Sequence, residues 1–316
     1  MISPMSTSPT SSAPRGLALV TGATGTQGSA AAQALLAAGH PVRLLVRNPG
    51  APMAQALGMQ GAELSCGDFD DRASLMSALR GVDAVFSVLR PDSDGSDSER
   101  RHGYALIEAA RAAGVRHFVH TSVCEAGRHT QFPRWESGHW YRKYWTDKWD
   151  VEEVVRRVGF ERWTILRPAF LMDNFARPKA GNMFPHLREG GIVTALLPQT
   201  RIQLIAADDV GAYTRAAIAE PARFDRRSID LAAEALSMSE VAHLLSRILH
   251  KRVCAETVSP EEARAAGLSA GWVRSQKWTN EVGYRADIEA LRGDGVSLTP
   301  FAAWVERHAQ DIIIDR

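Results

Sequence analysis

Cysteine and net charge are both scarce in this 316-residue sequence. The 3 cysteines lie far apart and have no CxxC or metal-finger spacing, which argues against a disulfide scaffold and a zinc site. Because 37 lysines and arginines are offset by 36 acidic residues, the chain has no basic field to attract nucleic acid or an anionic membrane. We therefore expect a cytoplasmic protein with reduced thiols that binds small molecules.

Long apolar runs are also absent, and none approaches the roughly 20 residues of a membrane span. Residues 1–14 are rich in Ser, Thr and Pro without a basic start, so we interpret them as a disordered leader rather than a signal peptide. His120, His129 and His139 have no metal-ligand spacing, and we expect no metal site. The 45% hydrophobic content suits one large α/β domain, alone or with a small appendage.

Short apolar runs alternate with helical periodicity in the first half of the chain. Strands are predicted at 17–20, 42–46, 62–64, 84–88 and 118–120, with helices at 28–38, 51–59, 73–79 and 100–113. A sixth unit has a helix at about 140–158 and a strand at 163–167. Strict alternation implies right-handed crossovers and therefore an α/β fold with a doubly wound parallel sheet.

The alternation stops after Pro168, and 170–191 have a loop-like composition. A strand at 202–205 and a helix at 209–218 indicate a return to the sheet, whereas 233–316 contain mostly short helical patterns, including 237–249. We predict a nucleotide-binding domain at 15–169, completed by 201–232. A smaller, mostly helical lobe, 170–200 and 233–316, would bind substrate over the carboxyl ends of the strands.

A glycine-rich turn follows the first strand, with Gly22, Gly25 and Gly28 in a GxxGxxG pattern that opens a helix. Gly22 permits the turn, Gly25 lets the backbone approach a pyrophosphate, and Gly28 allows close packing of helix and strand. The alternative is an ordinary glycine-rich turn. Its position at the first strand-to-helix junction favours a Rossmann-type dinucleotide site. We assign to it Gly22, Thr24, Gly25, Thr26, Gln27 and Gly28.

The end of the second strand carries Arg47 where NAD-preferring sites have an acidic residue that holds the ribose hydroxyls. A guanidinium presents a planar fork that matches a 2′-phosphate. We therefore predict NADP(H) as the cofactor. The alternative is a solvated strand-end arginine, and Arg43, inside the strand, is a second candidate for the phosphate.

The third and fourth strands end in further candidates for cofactor contacts. An acidic side chain at Asp68 can accept a hydrogen bond from the adenine amino group, while Phe69 packs on the ring. Asp71 is predicted to cap the next helix instead. The backbone and side chain of Leu89 should lie beside the nicotinamide ribose, on the topology alone. An acidic and aromatic turn without a ligand is the alternative for Asp68 and Phe69.

Taken together, these motifs resemble the NmrA-like family of atypical short-chain dehydrogenases/reductases. The resemblance covers about 16–215 and includes the glycine turn at 21–28, Arg47, the 67–68 turn, Thr121-Ser-Val123 and 164–175. Residues 207–211 fit the same family, whereas 233–316 match nothing. The resemblance implies a dinucleotide fold, but the family contains both reductases and regulators that bind NADP without turning it over, so fold does not settle activity.

A Tyr-x-x-x-Lys pair, Tyr144 and Lys148, lies on one face of the predicted sixth helix. It is similar to the pair that short-chain reductases use. A nearby ammonium favours phenolate, so Tyr144 is predicted to pass a proton to a substrate oxygen while Lys148 also binds the nicotinamide ribose. Ser122, after the fifth strand, would hydrogen-bond the same oxygen. The alternative is exposed helix decoration, since many relatives keep the lysine and lack the tyrosine.

The interval between Ser122 and Tyr144 is longer than in typical short-chain reductases, so 125–138 must form an inserted loop. Its aromatic residues, and those at the start of the next helix, would cover the nicotinamide, line a substrate pocket or simply pack; they are His129, Trp135, His139 and Trp140. Four residues after the sixth strand are predicted to border the substrate cavity, with interlobe packing as the alternative: Phe170, Met172, Asn174 and Phe175.

The leading hypothesis is an NADPH-dependent reductase of a carbonyl, quinone or conjugated small molecule. Its rival is a non-catalytic NADP(H) sensor that acts through a protein partner. A nucleotide-sugar epimerase or dehydratase is a third interpretation, but 233–316 show no pattern for such a pocket. The substrate, the direction of reaction and the oligomeric state stay open at this point.

The assignment of Arg47 to a 2′-phosphate predicts a change in cofactor preference. Arg47→Ala should weaken NADP(H) binding by about 1.5 to 3 kcal/mol, the scale of a hydrogen bond to a charged group. Calorimetric titration of both cofactors measures this. Equal affinities of the unaltered protein for NADP(H) and NAD(H) would contradict the assignment.

Overall fold

A parallel sheet of seven strands is the largest element of the computed structural model, which describes residues 15–91 and 95–315. The predicted leader, 1–14, lies outside the described residues. The strands of the described chain are β1 (Leu17–Val20), β2 (Val42–Val46), β3 (Glu63–Cys66), β4 (Val82–Val88), β5 (His117–Thr121), β6 (Arg162–Pro168), β7 (Phe170–Leu171), β8 (Gly191–Thr194), β9 (Ile202–Ile205), β10 (Arg227–Leu231), β11 (Glu234–Leu236) and β12 (Cys254–Thr257).

The helices cover both faces of this sheet and form much of the smaller lobe. They are α1 (Thr26–Ala37), α2 (Pro52–Met59), α3 (Arg72–Ala78), α4 (Ser98–Ala112), α5 (Arg142–Arg157), α6 (Ala180–Met183), α7 (Ala207–Ala219), α8 (Pro221–Phe224), α9 (Met238–Leu249), α10 (Pro260–Ala265), α11 (Ala270–Glu281), α12 (Ile288–Arg292) and α13 (Phe301–Arg307).

The strand order of the large sheet is β10-β6-β5-β4-β1-β2-β3, and every pairing in it is parallel. The order reverses between β1 and β4, which is where open α/β sheets bind ligands. The predicted doubly wound Rossmann fold is therefore confirmed.

Successive side chains of the central strands enter different cores because a strand exposes alternate residues to opposite faces. Val20, Leu44 and Phe86 pack on the face covered by α1 and α7, whereas Leu19 and Val85 pack on the face covered by α3, α4 and α5. Both faces are apolar, so the strands read as continuous hydrophobic runs rather than alternating ones. The two helix layers leave the carboxyl edge of the sheet open for the smaller lobe.

The smaller lobe combines helices with two short sheets. One sheet has the order β11-β9-β7 and the other pairs β12 with β8. Its separate core contains Phe175, Phe184, Trp272 and Trp304, all buried. Residues 170–191, predicted to be loop-like, contain β7, α6 and two short 3-10 turns.

The predicted return of 201–232 to the large sheet is made by α7 and β10. The strand at Ile202–Ile205 is present, but it pairs with β7 and β11 instead of the large sheet. The alternation of apolar and polar residues at 202–205 predicts a strand but does not specify which strand it pairs with. The edge of β6 is instead paired with β10. Pairing of this kind depends on contacts distant in sequence.

The packing of α7 on α1 predicts a steric limit at Gly211. A Cβ added there would lie 2.5 Å from the backbone oxygen of Ala30. We expect Gly211→Ala to destabilise the protein by about 1 to 3 kcal/mol, the usual cost of overpacking, despite the better helix propensity of alanine. The control is Gly181→Ala, since nothing lies within 4 Å of its added Cβ. Denaturant unfolding measures both, and equal midpoints would contradict the expectation.

Candidate functional site

A cavity of about 830 Å³ lies where the carboxyl edge of the large sheet meets the smaller lobe. Its floor comes from residues that follow four of the seven strands: Gln27 in α1 after β1, Leu89 after β4, Ser122 after β5 and Ala169 after β6. The predicted site residues Phe170, Asn174, Tyr144 and Lys148 line the same space. This convergence follows from topology, because parallel strands end at one edge.

The opposite wall of the cavity is aromatic. Trp140 and Trp145 come from the end of the inserted loop and the start of α5, whereas Trp272 and Trp278 come from α11. Phe170 stacks on Trp272 with ring centroids 4.9 Å apart. Flat indole faces on several sides suit a planar ligand.

The glycine turn has the geometry of a phosphate-binding loop. Gly22 has a φ of +60°, and an added Cβ at Gly28 would lie 2.2 Å from the Gly22 oxygen, so the fold itself requires both glycines. At Gly25 the nearest described atom to an added Cβ is the Gly22 oxygen, 3.3 Å away. Gly25 is also the N-cap of α1 and gives it no side-chain cap. The space above Gly25 and the uncapped helix start therefore fit a pyrophosphate.

Arg47 and Arg43 have different surroundings. Arg43 Nη1 donates to the Ala78 and Arg80 carbonyl oxygens at 2.7 and 2.8 Å, and Nη2 pairs with Glu63 at 2.9 Å, so both terminal nitrogens are already engaged. Arg47 is exposed and makes no ion pair with another described residue. Arg47 is therefore the better candidate for an added phosphate, and its role stays a prediction.

The turn after β3 is held by local hydrogen bonds. Asp68 Oδ1 accepts a bond from the Asp70 amide at 2.9 Å, and the Phe69 ring stacks on His102 with centroids 5.2 Å apart. Asp71 caps α3 by accepting from Ala73 and Ser74, which confirms its predicted role. Asp68 and Phe69 remain partly exposed at the sheet edge, and their contact with adenine stays a prediction.

Lys148 forms a buried ion pair that sequence reasoning missed. Its Nζ lies 2.7 Å from Glu99 Oε1, and both side chains are almost fully buried. The same Nζ lies 5.2 Å from the centroid of the Tyr144 ring. Lys148 thus faces the cavity beside Tyr144, with its charge balanced by a carboxylate on α4.

This pairing corrects the expectation that Lys148 favours phenolate at Tyr144. Burial and then the negative charge of Glu99 raise the pKa of Tyr144 above its ordinary value. Because Glu99 offsets the ammonium, the neutral phenol is the favoured form. The Tyr144 phenol therefore keeps its proton, and its catalytic role stays a prediction.

The Ser122 hydroxyl is buried beside this pair and has no hydrogen-bond partner among the described residues. The Glu152 carboxylate is close to it but outside hydrogen-bonding geometry; although burial acts to raise the pKa of Glu152, Arg167 and then Ser122 lower it. Ser122 lines the cavity, but its hydroxyl oxygen is enclosed near Glu152, so the hydroxyl has to rotate to reach a bound molecule.

The neighbours of the Tyr-x-x-x-Lys pair have other contacts. Lys143 points to Asp147 at 2.5 Å and Asp97 at 3.1 Å. Tyr141 lies at the cavity mouth, under the Arg274 guanidinium. Neither duplicates the arrangement of Tyr144 and Lys148.

The inserted loop and the residues after β6 divide between the cavity and the interior. His139 and Trp140 line the cavity, whereas His129 packs against Trp135, with centroids 4.9 Å apart, away from the lining. Phe170 and Asn174 also line it. Met172 and Phe175 are fully buried in the core of the smaller lobe and are not among the residues that line the cavity. The alternative interpretation, packing within the lobe, therefore fits them better than a place at the cavity border.

A buried carboxylate, Glu125, joins the inserted loop to the smaller lobe. Its side chain, with no exposed surface, accepts from Arg128 at 2.9 Å and from the Arg285 guanidinium at 2.6 Å and backbone amide at 3.2 Å. Arg128 also contacts Asp230 on β10. Tyr284, next to Arg285 in sequence, lines the cavity, so this network fixes the position of that wall.

Cys124, Glu125 and Asp230 lie close enough to be considered as metal ligands, with candidate atoms within 4.8 Å of one another. Arginines contact both carboxylates, however, and burial followed by Asp230 raises the pKa of the Cys124 thiol. A protonated thiol is a poor metal ligand. The residues fit an internal ion-pair network better than a metal centre.

The smaller lobe was predicted to cover this edge of the sheet, but the individual cavity residues within 233–316 were not predicted. On and after α11 these residues include Trp272, Arg274, Lys277, Trp278 and Tyr284. Gly271, Arg274, Ser275 and Trp278 recur at helical spacing, which places them on one face. The sequence shows this spacing, but it does not show that this face of α11 lines the cavity.

The comparisons with known proteins identify relatives over most of the chain. A model of the NmrA-like family matches residues 14–298. A (4-alkanoyl-5-oxo-2,5-dihydrofuran-3-yl)methyl phosphate reductase of Streptomyces griseus is 34% identical, over 92% of this chain and 98% of its own. An NAD(P)H azoreductase of Xenophilus azovorans is 30% identical, over 81% and 82%.

Among solved structures, an NADPH-dependent quinone oxidoreductase of Escherichia coli in complex with NADPH is similar, with a TM-score of 0.73 and 25% identity. The alignment covers 92% of this chain and 99% of the other. In the described part of this chain, we find no helix of the length and apolarity needed to cross a membrane.

The geometry of the glycine turn separates Gly25 from Gly28. Gly25→Val should keep the fold and weaken NADP binding by roughly 100-fold, because the branched side chain fills the space of the pyrophosphate. Gly28→Ala should lose stability instead. Circular dichroism and calorimetry distinguish these effects. A folded Gly25→Val protein with normal NADP affinity would show that the turn is only structural.

Proposed function

This chain belongs to the NmrA-like family, and we propose that it is an NADPH-dependent reductase that transfers hydride to a planar, conjugated small-molecule acceptor. The observation that carries the proposal is the single cavity that joins the strand ends of a dinucleotide fold to an aromatic wall. The reductases among its relatives, named above, support the reaction class. Quinones, carbonyls and conjugated lactones are the acceptors to test first.

The chain's own residues fit NADP(H) at the carboxyl edge. The turn at 21–28 would hold the pyrophosphate, Arg47 the 2′-phosphate, and Asp68 and Phe69 the adenine. Leu89 and Lys148 line the cavity and would border the nicotinamide ribose. NADPH, when bound there, supplies the hydride, and the residues around it set which molecule receives it.

The aromatic wall orients the acceptor and limits the access of water. Trp140, Trp145, Trp272 and Trp278 surround the space with indole surface, and Phe170 extends it toward β7. Asn174 adds a polar group at this end. A flat acceptor held between such faces loses little freedom when it meets the nicotinamide.

Tyr144 would deliver the proton that accompanies hydride transfer. Its phenol is neutral because burial and Glu99 raise its pKa. Ser122 lines the same cavity, and its hydroxyl, rotated away from Glu152, would hold the acceptor oxygen for that transfer. The pKa of Tyr144 is raised above 10, the ordinary pKa of a tyrosine. We therefore expect that deprotonation of this phenol causes no loss of activity as the pH rises to 10.

Removal of the Tyr144 hydroxyl tests this role. Tyr144→Phe should lower kcat by about 10² to 10⁴-fold, the usual contribution of general acid catalysis, with little change in cofactor affinity. Tyr284→Phe is the matched control, because Tyr284 lines the same cavity and its pKa is also raised by burial and by Tyr144. A rate unchanged in Tyr144→Phe would assign the proton to a bound water.

Lys148 is expected to serve both binding and turnover. Lys148→Ala should weaken NADP affinity and lower kcat, but it also leaves Glu99 as an uncompensated buried charge, which costs about 3 to 5 kcal/mol of stability. The double variant Lys148→Met with Glu99→Gln removes both charges and serves as the control. If that variant is stable and binds NADP normally, Lys148 is not the ribose anchor.

The reductase proposal is distinguished from a cofactor sensor by NADPH consumption. The protein is incubated with NADPH and a panel of quinones, aldehydes and unsaturated lactones, and absorbance of the reduced nicotinamide is followed. We expect turnover with at least one conjugated acceptor. Tight NADPH binding without oxidation by any acceptor would contradict the proposal.

A further inference from the structure

The mouth of the cavity carries positive charge that no described residue neutralises. Arg274 and Lys277 are exposed side chains of α11 that line the cavity, and neither has an ion-pair partner in the described chain. The Arg274 guanidinium lies 5.0 Å from the centroid of the Tyr141 ring, which holds it at the mouth. Their hydrogen-bond donors are therefore free for a ligand.

Carboxylates near the cavity are engaged elsewhere. None of the described lining residues is an Asp or a Glu. Glu281, at the end of α11, contacts Arg134 and lies 3.5 Å from His139. Glu99, behind the floor, is bound by Lys148. Among the described residues, Arg274 and Lys277 are thus lining cations without an acidic partner, whereas Lys148 is paired, although the whole chain has a net charge of only +1.

The setting of the two cations makes them effective. Indole rings border the same cavity, and a charge pair is stronger beside apolar groups than in open water. The first turn of α11 and its cap, 269–271, also line the cavity, so the positive end of the helix dipole adds to the field.

We propose that the acceptor carries an anionic substituent, a sulfonate, phosphate or carboxylate on a planar conjugated ring, which Arg274 and Lys277 bind at the mouth. The ring would extend inward between the indoles toward Ser122 and Tyr144. This inference rests on the proposed function, because it assigns a substrate class to the same cavity.

The experiment compares two ligands of equal shape and different charge. Calorimetry with the NADP-bound protein measures the affinity of 2-naphthalenesulfonate and of 2-naphthalenesulfonamide, its neutral counterpart. We expect the sulfonate to bind about 10-fold to 100-fold more tightly, as for charge-assisted hydrogen bonds. The preference should shrink in Arg274→Gln and in Lys277→Gln, and vanish in the double variant.

Lys251→Gln is the control, because Lys251 is an exposed cation of the same lobe outside the cavity lining. It should keep the preference for the sulfonate. Equal affinities of the unaltered protein for both ligands, no binding of either, or a preference that survives in the double variant would overturn the proposal.

Binding is measured without turnover, so the two proposals fail separately. If NADPH oxidation is absent and the sulfonate preference depends on Arg274 and Lys277, the anion site stands and the reductase proposal fails. If NADPH is oxidised by neutral and anionic naphthoquinones with equal kcat/KM, and the sulfonate has no binding advantage, the reductase stands and the anion site fails.

Discussion

The buried charge of Glu125 is the constraint on which the candidate site depends. It has no exposed surface, so its carboxylate is stable only while Arg128 and Arg285 surround it. Those two arginines belong to the inserted loop and to the smaller lobe, respectively. The cost of an unpaired buried charge therefore keeps the lobe against the sheet edge, and the cavity exists between them. Tyr284 is next to Arg285 in the sequence and packs against Trp278, with ring centroids 5.0 Å apart.

A second buried pair, Lys148 with Glu99, sets the chemistry inside that cavity. The pair holds the Lys148 ammonium beside the Tyr144 ring. The charge of Glu99 offsets that ammonium and helps to raise the pKa of the phenol. The arrangement differs from the simple view of a Tyr-x-x-x-Lys pair, in which the lysine promotes phenolate. Here the ammonium is paired with Glu99, and the raised pKa of Tyr144 is consistent with the proposed role of its phenol as proton donor.

The sequence was sufficient for six of the seven strands of the large sheet because their signals are local, whereas β10 was not predicted. Apolar runs such as Val42–Val46 need only their own pattern to predict a strand, and Gly22 and Gly28 mark a turn that no other residue allows. Parallel order then brings Gln27, Leu89 and Ser122 to one edge. The floor of the site was therefore predictable before any contact was known.

The residues of the aromatic wall opposite the floor were not predictable, because their positions depend on contacts between residues that are distant in sequence. The partner of Lys148 is 49 positions away, and Glu125 meets Arg285 across 160 positions. Nothing in the pattern around Arg274 or Trp278 indicates that α11 faces the sheet edge. Met172 and Phe175 were predicted to border the cavity because they follow β6 in the sequence. In the structure both are buried in the core of the smaller lobe.

The proposed reaction passes hydride directly from the nicotinamide to an acceptor held in this cavity. The decisive experiment is one anaerobic turnover with NADPH that carries deuterium at one face of C4 and with a conjugated enone as acceptor. Deuterium should appear on a carbon of the reduced product from one of the two labelled faces and not from the other. A product without label from either face, or bound NADPH that stays unreacted, would contradict it.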